Sequence, residues 1–202
     1  MRRGIAVVVL FLGLAAVGRA QVAEVAITGG WSAFTDSNVG FLGFDAATGD
    51  QVDLDNGIRI GGRLSMNRWF LGHEISYAWQ KSNLRIDGPA GSESSGMSIQ
   101  NFYYNFVAHA TPQGTAIRPF VTAGVGVSTF FPPGFSSLSG SGDNKFGYNY
   151  GGGLKFRLSE KFGLRVDVRD HVTGRPFEKF GVQTASGKFH NVEYSAGFAL
   201  LF

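Results

Sequence analysis

From Glu24 onward the chain alternates apolar and polar positions with a period of two, in eight separate runs, and helical periodicity is almost absent. A period of two is the repeat of a β-strand, whose successive side chains point to opposite faces. The first run, Glu24 to Phe34, puts Val25, Ile27, Gly29, Trp31 and Ala33 on one face. The second, Gly57 to Asn67, sets Ile58, Ile60, Leu64 and Met66 against Arg59, Arg63 and Asn67. The third, Trp69 to about Gln80, sets Trp69, Leu71, His73, Ile75, Tyr77 and Trp79 against Glu74, Ser76 and Gln80. Runs four to eight cover Ser98 to His109, Phe120 to Phe130, Phe146 to Leu158, Phe162 to His171 and Val192 to Phe202.

Runs of about ten residues have the length that a tilted strand needs to cross a bilayer. The connections alternate in kind. Asn67-Arg68, Ala110 to Ala116 and Ser159 to Lys161 are short, whereas Thr35 to Asn56, Lys81 to Met97, Phe131 to Lys145 and Val172 to Asn191 are long and polar. Short turns on one side and long loops on the other are expected of an even-stranded membrane barrel with both termini in the periplasm. A two-residue turn at Asn67-Arg68 predicts that Met66 pairs with Trp69, Leu64 with Leu71 and Ile60 with Ile75. A three-residue turn at Ser159 to Lys161 predicts Leu158 opposite Phe162 and Phe156 opposite Leu164. The fold class expected is an all-β, eight-stranded antiparallel up-and-down transmembrane barrel.

Composition changes the picture at the N-terminus. Arg2 and Arg3 precede an apolar core from Ile5 to Val17, and Gly18-Arg19-Ala20 supplies small residues at the −3 and −1 positions. This is the pattern of a secretory signal peptide over residues 1–20, leaving residues 21–202 as one barrel domain. Loss of Arg2, Arg3 and Arg19 turns a balance of 18 Lys and Arg against 15 Asp and Glu into a neutral one. The basic character of the whole chain is therefore no argument for nucleic-acid binding. Cysteine is absent, so neither disulfides nor a lipid-modified N-terminal cysteine is expected.

Alternation alone also fits a soluble barrel with an apolar interior. Three features favour an apolar exterior. Trp31, Trp69, Tyr77, Trp79, Tyr104 and Tyr148 read as aromatic girdles near the ends of the apolar faces. The polar faces carry many glycines and few long solvating side chains. The last run also ends on Phe202. With its C-terminal pattern Tyr194-x-Ala196-x-Phe198-x-Leu200-x-Phe202, and with the run Gly163 to Arg169, the chain resembles the small eight-stranded outer-membrane β-barrels that include the transmembrane domain of outer membrane protein A. The resemblance implies that Tyr194, Phe198, Leu200 and Phe202 are read by the outer-membrane assembly machinery. It implies no cell-wall tether, because the chain lacks that protein's peptidoglycan-binding domain.

An eight-stranded bore is just wide enough to be filled by side chains. The expected luminal charges are Arg59, Arg63, Glu74, Lys155, Arg157, Arg165, Asp167, Arg169 and Glu193. The register above places Glu74 opposite Gly61 and diagonal to Arg59 and Arg63, and Asp167 opposite Gly153 and diagonal to Lys155. Such charges serve either as a gate or ion path or as a salt-bridged plug, and the narrow bore favours the plug. Paired-carboxylate catalysis is disfavoured, since each acid has a basic neighbour to hold it ionised.

Other chemistry is sparse. His73 lies on the apolar face, but Glu74 points the other way and no His-x-Ser run accompanies it, so the base, nucleophile and carboxylate of a lipid hydrolase are not assembled. His109, His171 and His190 lack metal-ligand spacing. The loop 45–55 holds Asp45, Asp50, Asp53 and Asp55 without the third ligand position of a calcium loop, and reads as a solvated acidic loop. No metal or cofactor is expected. The function expected is a non-enzymatic outer-membrane barrel with a structural or surface-interaction role, the alternatives being a narrow pore for small solutes or a lipid-modifying enzyme. The expected partners are outer-membrane lipid and lipopolysaccharide, the assembly machinery, and a surface ligand at the long loops.

Overall fold

The computed structural model describes residues 22–43, 49–89, 91–134, 142–184 and 186–202; the expected signal peptide lies outside the described residues. Eleven strands form in chain order: β1 (Val22–Phe34), β2 (Asn38–Leu42), β3 (Asp50–Leu54), β4 (Gly57–Arg68), β5 (Leu71–Gly88), β6 (Gly91–His109), β7 (Ile117–Phe131), β8 (Asp143–Arg157), β9 (Phe162–Thr173), β10 (Gln183–Thr184) and β11 (Phe189–Leu201). Eight of them close an antiparallel barrel in the order β1, β4, β5, β6, β7, β8, β9, β11. The seam is β1 against β11, with Val25 opposite Leu200 and Trp31 opposite Tyr194. Closure leaves the barrel wall no unpaired edge, as a structure surrounded by hydrocarbon requires.

The two faces separate as the alternation predicts. Ile27, Ile60, Ile75, Phe102, Val121, Tyr148, Val166 and Phe198 are exposed on the outer wall, while Thr28, Arg63, Glu74, Asn105, Asn149 and Arg165 are buried inside. The polar interior and apolar exterior invert the arrangement of a soluble barrel.

Register is where two expectations part. Across the β8–β9 turn, Phe156 pairs with Leu164 and Gly153 with Asp167, as the three-residue turn predicts. The β4–β5 hairpin instead turns at Trp69-Phe70, so Arg68 pairs with Leu71, Leu64 with Ile75 and Ile60 with Trp79. Trp69 takes up the tight turn with a left-handed φ of 55°, a conformation that costs a bulky residue energy. In exchange, β4 gains further ladder bonds, and Trp69 and Phe70 are exposed at the barrel's rim. The slip is four residues. Being even, it leaves the inward and outward sets unchanged.

The long connections are also more ordered than their polarity suggests. Instead of a loop over Lys81 to Met97, β5 and β6 continue beyond the barrel as one hairpin to Gly88 opposite Gly91. Within the first long connection, β3 pairs with the free edge of β5, Leu54 opposite Leu84 and Val52 opposite Ile86, and β2 and β10 add to it. Val39, Val52, Leu54, Ile99, Phe130, Phe177 and Phe189 form a buried apolar cluster at this end. Phe177 reaches it with a left-handed φ of 74°, its N–H donating to Asp143 at 2.6 Å. Arg175 bonds both the Asp36 carboxylate and the Asn38 carbonyl, and its hydrogen bond holds the Asp36 carboxyl below the usual range.

Candidate functional site: the luminal charge network

Four acids project into the bore from four strands: Glu24 from β1, Glu74 from β5, Asp167 from β9 and Glu193 from β11. Each meets at least two cations. Glu24 pairs with Lys155 at 2.6 Å and with Arg165 at 3.1 Å. Glu74 accepts from Arg165 at 3.1 Å and forms ion pairs with Arg169 at 2.7 Å and Arg63 at 3.7 Å. Asp167 lies 2.7 Å from Arg63, 2.9 Å from Arg169 and 3.2 Å from Arg165. Glu193 meets Arg63 at 2.6 Å, Arg59 at 3.0 Å and the His171 ring at 2.9 Å.

Shared partners make this one connected network. Lys155 and Glu24 form its turn-side end, and Arg59, Glu193 and His171 its loop-side end. Its side chains are at most 10% exposed. A charge moved from water to such an interior costs several kcal/mol, so the network is stable only because every ion is paired. Asn191 donates to Gln80 at 2.9 Å and Tyr103 bonds Ser128 at 3.0 Å on the loop side, adding neutral crosslinks. Phe120 lies under both Lys155 and Arg165, 5.5 and 5.4 Å from its ring centroid, adding cation–π contact.

Eight of the nine expected luminal charges meet in this network, but their partners differ from the expected ones. Glu74 stands opposite Ser65, not Gly61, and accepts from the Ser65 hydroxyl at 3.1 Å. Of its two expected partners it keeps Arg63, whereas Arg59 belongs to Glu193. Asp167 stands opposite Gly153 but ignores Lys155, which reaches across the bore to Glu24. Arg157 is outside the network. It sits one residue from the β8–β9 turn, is exposed, and its Nε–H donates to the Ser159 carbonyl at 3.2 Å. At the rim a long cation reaches water instead of the bore.

Glu24, His171, Tyr103 and Phe120 also line the bore, although they are not among the charges expected there from the sequence. Parity was the available signal for Glu24, which alternates with Val25 and Ile27. Tyr103 and Phe120 sit on polar faces where an aromatic is not expected.

The girdle residues divide between the two ends. Trp31, Tyr77, Trp79 and Tyr148 lie toward the loops, and Tyr150, beside Tyr148, joins them with its hydroxyl donating to Asp170 at 2.9 Å. Trp69 occupies the turn end. Tyr104 lies in the turn-side half, not near a loop, and bonds His73 Nδ1 at 2.6 Å. Thus the lipid-face histidine is paired with a phenol and not with a serine or carboxylate. On β11, Tyr194, Phe198, Leu200 and Phe202 are all exposed on the outer wall. The Phe202 N–H donates to the Ala23 carbonyl at 2.9 Å, tying the C-terminus to β1.

The acidic segment 45–55 is partly outside the described residues, Asp45 among them. Asp53 accepts from Gln51 at 2.9 Å and Ser37 at 3.3 Å. Asp55 lies 3.6 Å from Arg85, a cation that β5 brings to a segment lacking one of its own. Among the described residues no group of three or more His, Asp or Glu is arranged to hold a metal ion.

No functionally curated protein matches the chain in sequence. Among solved structures it is similar to the outer membrane protein OprG from Pseudomonas aeruginosa, with a TM-score of 0.65 and 17% identity over 89% of this chain and 96% of that one. It is also similar to Neisserial surface protein A, with a TM-score of 0.57 and 10% identity over 91% of this chain and 98% of that one. At such identities the likeness concerns the fold. A family model, the outer membrane protein beta-barrel domain, matches residues 5–202. With almost the whole sequence matched by that model, and with a closed barrel that is polar within and apolar without, the chain belongs to the outer-membrane β-barrel family.

Proposed function

We propose that this chain, freed of a signal peptide over residues 1–20, is a non-enzymatic outer-membrane barrel with a structural or surface-interaction role and a bore closed by its own side chains. The observation that carries this reading is the continuous ion network across the lumen, from Lys155 and Glu24 to Glu193 and His171. To open a path, several buried ions would have to lose partners together, at a cost of several kcal/mol each. Above the network, the apolar cluster around Phe130, Phe177 and Phe189 adds a second obstruction at the loop end. The β2–β3–β10 sheet and the long β5–β6 hairpin offer a hydrogen-bonded surface for a ligand outside the cell.

Purified protein in planar bilayers tests the closed bore. Little or no steady current is expected across a wide range of voltages. Large, stable, porin-like conductance would overturn the reading, and the narrow-pore alternative would replace it.

A further inference from the structure

On the outer wall at the turn end of the barrel, β4, β5 and β6 border an open groove of about 770 Å³. Its residues are ordered by depth. Arg68 lies lowest, beside the turn; His73 lies opposite Met66, one row higher; Leu64, Ile75 and Tyr104 form the next row. Each row is two residues from the last, about 6.6 Å along a strand and some 5 Å in depth once the strand tilt is allowed for.

Two polar features in this groove have no use within the protein. The Arg68 guanidinium is exposed and has no carboxylate or carbonyl partner among the described residues. The His73–Tyr104 pair is joined by a single hydrogen bond of 2.6 Å on an otherwise apolar wall. If the phenol donates to Nδ1, the imidazole keeps an Nε2–H; if Nδ1–H donates to the phenol, the Tyr104 O–H is left over. Either way a neutral pair retains one donor without an acceptor, a costly arrangement facing hydrocarbon. Phe106, with its ring 5.0 Å from His73 and 5.5 Å from Tyr104, packs against both and holds the pair in place.

We propose that this groove binds one glycerophospholipid of the periplasmic leaflet. Its phosphate lies on Arg68, an ester carbonyl accepts from the His73–Tyr104 pair, and an acyl chain runs along Leu64 and Ile75. The order of cation, hydrogen-bond donor and apolar wall matches the order of phosphate, ester and chain in a phospholipid entering the bilayer. Ordinary boundary lipid requires an apolar wall only, not a donor pair held one row above a free guanidinium.

The test is native mass spectrometry of the folded full chain released from detergent micelles containing dioleoyl phosphatidylglycerol. Heat-modifiable gel mobility confirms that each variant is folded, and His73→Phe makes the wall more apolar, so folding should survive. One retained lipid is expected on the unaltered protein. Arg68→Gln and His73→Phe should each lower the retained fraction by about tenfold, the effect of losing one charge-assisted or buried hydrogen bond. Tyr148→Phe, at the opposite girdle, should leave it unchanged. Retention by the Arg68 and His73 variants equal to that of the unaltered protein would overturn the proposal. So would retention of dioleoylglycerol, which lacks the phosphate, as strongly as the phospholipid.

Discussion

Arg165 on β9 and Glu74 on β5 meet across the full width of the bore, Nη1 to Oε2 at 3.1 Å. In the cyclic order of eight strands these two are diametrically opposed. The contact is therefore a strut and not a neighbouring-strand pair. Arg63 to Asp167 and Lys155 to Glu24 cross the bore in the same manner, each skipping two intervening strands. Struts of this kind couple strands far apart in the wall and occupy the bore between them.

Glu74, like Asp167, is an acid on which three arginines converge, so its neutralisation is a sharp test of the network. Glu74→Gln leaves Arg63, Arg165 and Arg169 short of one buried counter-charge while keeping the side-chain volume. The folded barrel should lose about 3–5 kcal/mol, the cost of breaking a buried ion pair from one side. Urea unfolding in lipid vesicles, followed by tryptophan fluorescence, measures it. An unchanged midpoint would mean that water already reaches this carboxylate.

A second expectation concerns the space around the struts. Gly153 faces the bore, and a Cβ there would lie 2.1 Å from the Val166 carbonyl oxygen and 2.6 Å from Asp167 Cβ. Only a residue without a side chain lets β9 approach this closely while Asp167 holds its arginines. Gly153→Ala should destabilise by about 1–3 kcal/mol through overpacking. Gly29→Ala, on the outer wall with nothing within 4 Å of the added methyl, is the control and should be neutral or slightly stabilising. Matching unfolding midpoints for the two variants would contradict the assigned faces.

A third expectation concerns assembly. Phe202 is 72% exposed on the outer wall, and its removal takes away the terminal aromatic without touching the luminal ions. Deleting Phe202 should slow or abolish insertion into the outer membrane, with accumulation in the periplasm and loss of heat-modifiable mobility. Ala199→Ser, on the luminal face of the same strand, should be far milder. Normal assembly of the Phe202 deletion would show that β11 is recognised through other residues.

Much of this barrel was legible as soon as the chain was read. Eight runs of period two, the sign of each face, and the alternation of short and long connections follow from side-chain geometry along a strand and need no tertiary information. The β8–β9 register was legible too, because Ser159 to Lys161 forms a short turn between clear runs. Over Asn67 to Phe70 the same reasoning misplaced the turn. Apolar still meets apolar after a slip of four, so parity is silent about even shifts, and the ladder bonds and turn geometry decide among them.

Partner choice in the lumen lies still further from the sequence. Arg165 finds Glu24 and Glu74 only because closure sets β1 one strand away from β9 and β5 across the bore from it, at separations of 141 and 91 residues. Diagonal neighbours on paired strands were the natural guess, but the strands curve around a bore narrow enough for long side chains to span it. The apolar cluster beneath the outer loops was hidden for a related reason. Val39, Val52, Phe177 and Phe189 are scattered through polar connections, and only the folded chain brings them together, where burial offsets the cost of ordering those segments. Strand character and facing were thus written locally in the residue pattern, while ion pairing and loop order depended on closure, because both rest on contacts between residues far apart in the chain.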